Sequence, residues 1–231
     1  MSVPEFSDQN PWPARRKFYS FMRQISLGMA YSNGKVAGAL FFIAVTQFVL
    51  GLIVSEALYS DYSISGNYIS DLGVGSSSMI FNSSVFLLGL LLVIGAYFLQ
   101  RAFDFRMLTV LLVLTAIGAM GVGIFTEDFG IIHSVVSLIV FLFGGLSAIF
   151  SVVCSYVHRF SLLKMPFSVI SVILGLMTLG ALVLFVGKIY LGLGAGGMER
   201  MIAYPILMWG AGFGGYLIAH PEERTAQQKP Q

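Results

Sequence analysis

A 231-residue chain that is 57% hydrophobic and only 10% charged, with a mean hydropathy of +0.85, lies outside the range of soluble domains and takes the bilayer as its solvent. The formal net charge of +2 comes without any basic stripe interleaved with aromatics, so no nucleic-acid partner is expected. The single cysteine, Cys154, excludes an intramolecular disulfide and any multi-cysteine zinc or iron-sulfur site.

Residues 1–35 are polar and basic, which predicts a cytoplasmic segment without a cleavable signal peptide, followed by an uncleaved signal-anchor helix. Within them Phe18, Phe21, Met22, Ile25 and Met29 recur at helical spacing, while Arg15, Arg16, Lys17 and Arg23 lie off that stripe. This pattern fits an interfacial helix on anionic lipid, and equally a basic flank that orients the first span. Six apolar segments then follow, about Val36 to Leu58, Met79 to Leu99, Met107 to Phe125, His133 to Val157, Phe167 to Val186 and Met201 to Ala219. Each meets the roughly 20 residues a helix needs to cross the hydrocarbon. They must be helices because lipid offers no partner to an open backbone, and the alternation of barrel strands is absent. The expected fold is an all-α, six-helix transmembrane bundle over residues 36–219, with residues 220–231 as a cytoplasmic tail.

Basic residues set the orientation. Eleven of the 13 fall before the first span, in the second and fourth connections, or in the tail. Only Lys188 and Arg200 lie on the other side, so both termini are expected in the cytoplasm of a multi-pass cell-membrane protein. The opposite, outer side carries Glu56, Asp61, Asp71, Glu127, Asp128 and Glu199. No ionisable residue sits in the middle of a span, which argues against proton- or ion-coupled transport. Ser147, Ser151 and Ser155 repeat along the fourth helix and Thr46 precedes Gln47 in the first. These read as interhelical hydrogen bonds or as the lining of a polar path.

Chemistry is therefore expected at the outer rim. The first outer connection, residues 63–78, is rich in turn formers and leads to Asn82; the second is short and runs into His133. The third contains Gly192-Leu-Gly-Ala-Gly-Gly-Met-Glu-Arg200, followed by Tyr204 and Trp209. On the inner side Cys154 and His158 share a helix face, more simply a buried thiol beside an interfacial histidine than a catalytic pair.

Asn67-Tyr-Ile-Ser-Asp-Leu-Gly73, Ile80-Phe-Asn82 with Gly89, Gly123-Ile-Phe-Thr-Glu127 before His133, and Glu199-Arg200 with Tyr204-Pro205 and Trp209 occur in that order. Over roughly Val36 to Ala219 this series resembles the archaeal and bacterial six-helix proteins of domain-of-unknown-function family 998. The resemblance implies the architecture and no particular activity. It marks Ser70, Asp71, Glu127, His133, Glu199 and Arg200 as the polar signature. Thr126 departs from the proline expected before the acidic residue of that turn.

Three readings follow for the rim residues Ser70, Asp71, Asn82, Glu127, Asp128, His133, Glu199, Arg200, Tyr204 and Trp209. One is a binding protein for a lipid headgroup or small solute, with Arg200 and Lys188 holding an anion and the aromatics supplying walls. Another is a structural or accessory subunit whose outer acids pair with these two bases, Glu199 and Asp71 with Arg200 first. The third is a metal-dependent membrane hydrolase using Asp71, Glu127, Asp128, Glu199 and His133, although zinc usually draws on more His or Cys than one outer histidine provides. A serine-based site pairing Ser70 or Ser83 with His133 and Asp71 lacks a nucleophile elbow. The expected partners are membrane lipids, together with a membrane complex or a second copy of the chain; no cofactor is expected.

Overall fold

The computed structural model describes residues 13–157 and 163–220. Among these residues it is helical, with no strands. The helices are α1 (Pro13–Leu58), α2 (Ser78–Phe103), α3 (Arg106–Ile124), α4 (Ile131–Val157), α5 (Phe167–Val186) and α6 (Gly194–Ala219). Six helical stretches are long and apolar enough to cross a membrane. The stretch that carries the Phe18 to Met29 spacing belongs to α1, which runs unbroken for 46 residues. His158 lies outside the described residues.

Helix bounds differ from the sequence expectation in one place that matters. The sixth helix begins at Gly194, not near Met201, so Glu199 and Arg200 are helical residues. The glycine run before them reads as a loop, yet its function is close approach. Gly194 holds φ +76°, and a side chain on it or on Gly196 would strike the backbone carbonyls of Ser65 and Asn67. The Gly196 amide instead donates to the Ser65 carbonyl at 3.0 Å. These small residues let the α1–α2 connection lie directly on the start of α6.

The helices form a ring in chain order. Each packs on its sequence neighbours, α6 closes on α1, and α4 also touches α6 across the ring. Such an arrangement follows from short connections between antiparallel spans. Where α6 meets α1 the approach is backbone to backbone. A Cβ on Gly38 would stand 2.6 Å from the Gly214 carbonyl oxygen, and one on Gly214 the same distance from that of Gly38. Gln47 ties α1 to α2 by donating to the Ser84 carbonyl at 3.0 Å.

The serine series of α4 does not make a polar path. Ser147 donates to the Phe143 carbonyl and Ser151 to that of Ala148, while Ser155 accepts from the Leu163 amide. Satisfied within their own helix or by the next connection, these hydroxyls leave a largely apolar bundle interior.

Candidate functional site

Two 3₁₀ turns cover the acidic end of the ring, Ser70–Gly73 between α1 and α2 and Glu127–Phe129 between α3 and α4. Asp71 organises the first by accepting from the Asn67 side-chain amide at 2.9 Å and the Tyr68 amide at 3.0 Å. Asn82 secures it to α2 through the Gly73 carbonyl, at 2.9 Å. The two turns touch, and the Glu127 carboxyl lies beside that of Asp71. Burial, then the Asp71 hydrogen bond and the charges of Asp71 and Asp128, push Glu127 up to about 7.

Arg200 and Glu199 are neighbours in sequence and separate in role. Successive helical residues point about 100° apart, so Arg200 faces α1 and the first connection while Glu199 faces the ring interior. The Arg200 guanidinium donates to the carbonyls of Ile64 (3.0 Å), Asn67 (3.3 Å) and Gly196 (3.0 Å). It also donates to Glu56 at 2.6 Å and to the Tyr62 hydroxyl at 2.5 Å, and it lies 5.5 Å from the Tyr62 ring centre. Burial pushes the Tyr62 hydroxyl up to about 12, against the pull of Arg200. Arg200 therefore pairs with Glu56, which corrects the expected pairing with Glu199 and Asp71. Both terminal nitrogens are thus engaged by carbonyls, Glu56 and Tyr62, while the buried Nε has no partner among the described residues.

Glu199 is 7% exposed and accepts from the Ile69 amide at 2.5 Å through Oε2. It stands where two cavities meet. The rim cavity, about 410 Å³, is lined by Tyr68, Ser70, Glu127, His133, Ser137 and Glu199 together with apolar residues of α4 and α5. Its lining includes Leu138 and Val186, which are exposed on the outside of α4 and α5. The mouth thus opens between those two helices, toward the lipid face. Beneath lies an apolar inner cavity of about 110 Å³. Ser70, Ser137, Phe141 and Glu199 line both.

The inner cavity reaches from Glu199 to Gly210 on α6 and from Ser137 to Ser147 on α4. At 1.5 Å per residue this is ~15 Å, half the hydrocarbon thickness. So small a volume over such a length describes a narrow channel rather than a round chamber. Trp209 lines it and is 3% exposed, with an indole N–H that has no partner among the described residues. It stacks on Phe213 and lies ten residues along α6 from Glu199, so it is an interior residue and not part of a rim belt.

His133 is buried at the start of α4. Its Nδ1 lies 2.8 Å from the Phe125 carbonyl oxygen. A carbonyl only accepts, so Nδ1 carries a proton, and in the neutral ring Nε2 is left to accept from the Ser137 hydroxyl at 3.2 Å. Asp71, engaged by Asn67 and Tyr68, is not the partner of this histidine. Ser83 bonds back to the Met79 carbonyl on an exposed face. Asp128 is exposed and Tyr204 lines neither cavity.

The structure thus brings Ser70, Glu127, His133 and Glu199 together and places Asp71 behind Glu127. Asn82 and Arg200 hold the cover, and Trp209 sits in the channel below. Ser137 had a signal in the sequence, its four-residue spacing from His133, but helical serines commonly bond their own backbone. Among the described residues no three His, Cys, Asp or Glu side chains converge as a metal site.

This is a membrane-type helical protein built round a two-compartment cavity, with several polar side chains at one end and an apolar interior. The chain belongs to the DUF998 family, described as proteins of unknown function, whose profile matches residues 42–215. No curated protein and no solved structure matches it.

Proposed function

We propose that this protein binds a single-chain amphiphile, with the polar head in the rim cavity and the aliphatic chain in the channel. The observation that carries this reading is the junction, through Ser70, Ser137, Phe141 and Glu199, of a rim cavity that sets several polar side chains in a mainly apolar wall with a narrow, almost wholly apolar one. A pocket that combines a few polar groups with an apolar wall suits one small ligand in one orientation. A mouth beside Leu138 and Val186 admits the ligand from the bilayer, where amphiphiles are concentrated.

Electrostatics narrows the head. Glu127 and Glu199 line the rim cavity, and neither cavity has a described Lys or Arg in its lining. A neutral, hydrogen-bonding or cationic head is favoured over a phosphate. The distribution of Lys and Arg supports an outward orientation for this end of the bundle, and with it a ligand drawn from the outer leaflet.

Thermal unfolding of the protein in nanodiscs, with dodecyl glycerol ether, dodecyltrimethylammonium or dodecyl phosphate added, tests the reading. Ligand at 100 times Kd stabilises by about 2.7 kcal/mol, or roughly 5 to 10 °C for a chain of this size. The first two compounds should produce such a shift and the phosphate little. Ala203→Phe, which fills the channel, should abolish it. Absence of a shift with all three would refute the proposal.

A further inference from the structure

We infer that Ser137 and His133 form a nucleophile and general base that cleave an acyl ester held across the two cavities. The inference rests on the amphiphile reading and adds a reaction to it. In an acyl ester the bond between head and chain lies where polar and apolar parts join. Ser137 lines both cavities and so stands at that level.

The pair has the parts that such chemistry needs. The nucleophile lies within hydrogen-bond reach of the base, and the base is oriented by a third group. Here the Ser137 hydroxyl and His133 Nε2 are 3.2 Å apart, and the Phe125 carbonyl fixes the tautomer through Nδ1. The comparison within α4 is informative. Ser134 and Ser147 donate to carbonyls four residues earlier, at 3.1 and 2.8 Å, whereas Ser137 is directed to an imidazole. Ser70 lines both cavities. It is placed to donate to the oxygen of an ester carbonyl at the junction.

The steps balance with water as the second reactant. Ser137 Oγ attacks the ester carbonyl carbon while its proton passes to His133 Nε2. The tetrahedral centre collapses, the bond to the alkoxy head breaks, and His133 returns the proton to that oxygen. Water, deprotonated by His133, then attacks the acyl-serine. A carboxylic acid leaves, and the proton goes back to Ser137.

The test uses the full chain in nanodiscs, with p-nitrophenyl decanoate as substrate, a fluorophosphonate as covalent probe and dodecyl glycerol ether as an uncleavable ligand. Wild type should turn over the ester and label at Ser137. Ser137→Ala should lose labelling there and at least about 100-fold in turnover. His133→Asn should lose a similar factor, and Ser70→Ala about 100-fold. Ser83→Ala, at a hydroxyl that bonds its own helix and lines neither cavity, should match wild type. Ether binding without labelling or turnover in wild type would overturn the catalytic inference and leave the binding reading intact. Turnover undiminished in Ser137→Ala would overturn it as well. Labelling at Ser137 without ether binding would support the dyad and remove the amphiphile reading.

Discussion

Arg200 and Glu199 share a peptide bond, yet the regions they serve are opposites. Around Arg200 the guanidinium meets three carbonyls, a carboxylate and a phenol, and these contacts weld the first connection to α6. At Glu199 two cavities join, and farther along the inner one the Trp209 indole N–H takes no partner among the described residues. Buried polar groups are normally paired. At Arg200 only Nε lacks a partner among the described residues while both terminal nitrogens are engaged, so this region is architecture; the adjoining one carries the proposed ligand site.

The largest effect should come from Arg200→Met. It leaves Glu56, two loop carbonyls and that of Gly196 facing a vacated, buried site, and removing one member of a buried ion pair costs about 3 to 5 kcal/mol. Arg200→Lys should rescue little, since an ammonium cannot reproduce the fork. Chemical or thermal unfolding without ligand reads both. If Arg200→Met instead retained full stability and lost only ligand response, the assignment of the two regions would be reversed.

Gly196→Ala comes next. The new methyl meets the Asn67 carbonyl, so the connection must lift, at a cost of about 1 to 3 kcal/mol. Amide exchange of residues 64–69 should quicken in this variant. Trp209→Phe keeps the ring stack but removes part of a buried indole along with the unpaired N–H, so it should cost about 1 to 2 kcal/mol.

The smallest effect concerns pH. Glu127 has an ordinary value of 4.5 and is pushed up to about 7 in the fold. Between these values the folded protein holds the extra proton, so stability is full below about 4.5, falls as pH rises to about 7 and then levels. The melting temperature should follow that course in wild type, and Glu127→Gln should weaken the dependence. A wild-type profile flat over this window would show that the contact between the two turns contributes nothing.

Much of this was legible in the sequence, for physical reasons that also mark the limit. A span must be long and apolar, so the six helices could be read directly, and α5 occurs at its expected bounds. The start of α6 could not, because glycines serve both turns and close backbone contacts, and only the position of the 64–67 backbone decides between them. His133 and Glu199 were visible as rare polar groups at one depth. Which acid faced Arg200 depended on the rotation of α6 and on the path of a long connection. Trp209 was misplaced at the rim because α6 begins earlier and its residues run deeper than the charge pattern suggests. Ser137 was hidden among serines whose partners only packing reveals.

The most direct measurement is photocrosslinking with a dodecyl glycerol ether that carries a diazirine at the end of its chain. Bound head-up in the rim cavity, the chain end should label Leu112, Thr115 or Gly210 in the channel, and Ala203→Phe should prevent it. Adducts confined to lipid-facing residues such as Val183 and Leu176, unchanged by Ala203→Phe, would show that the channel holds no chain.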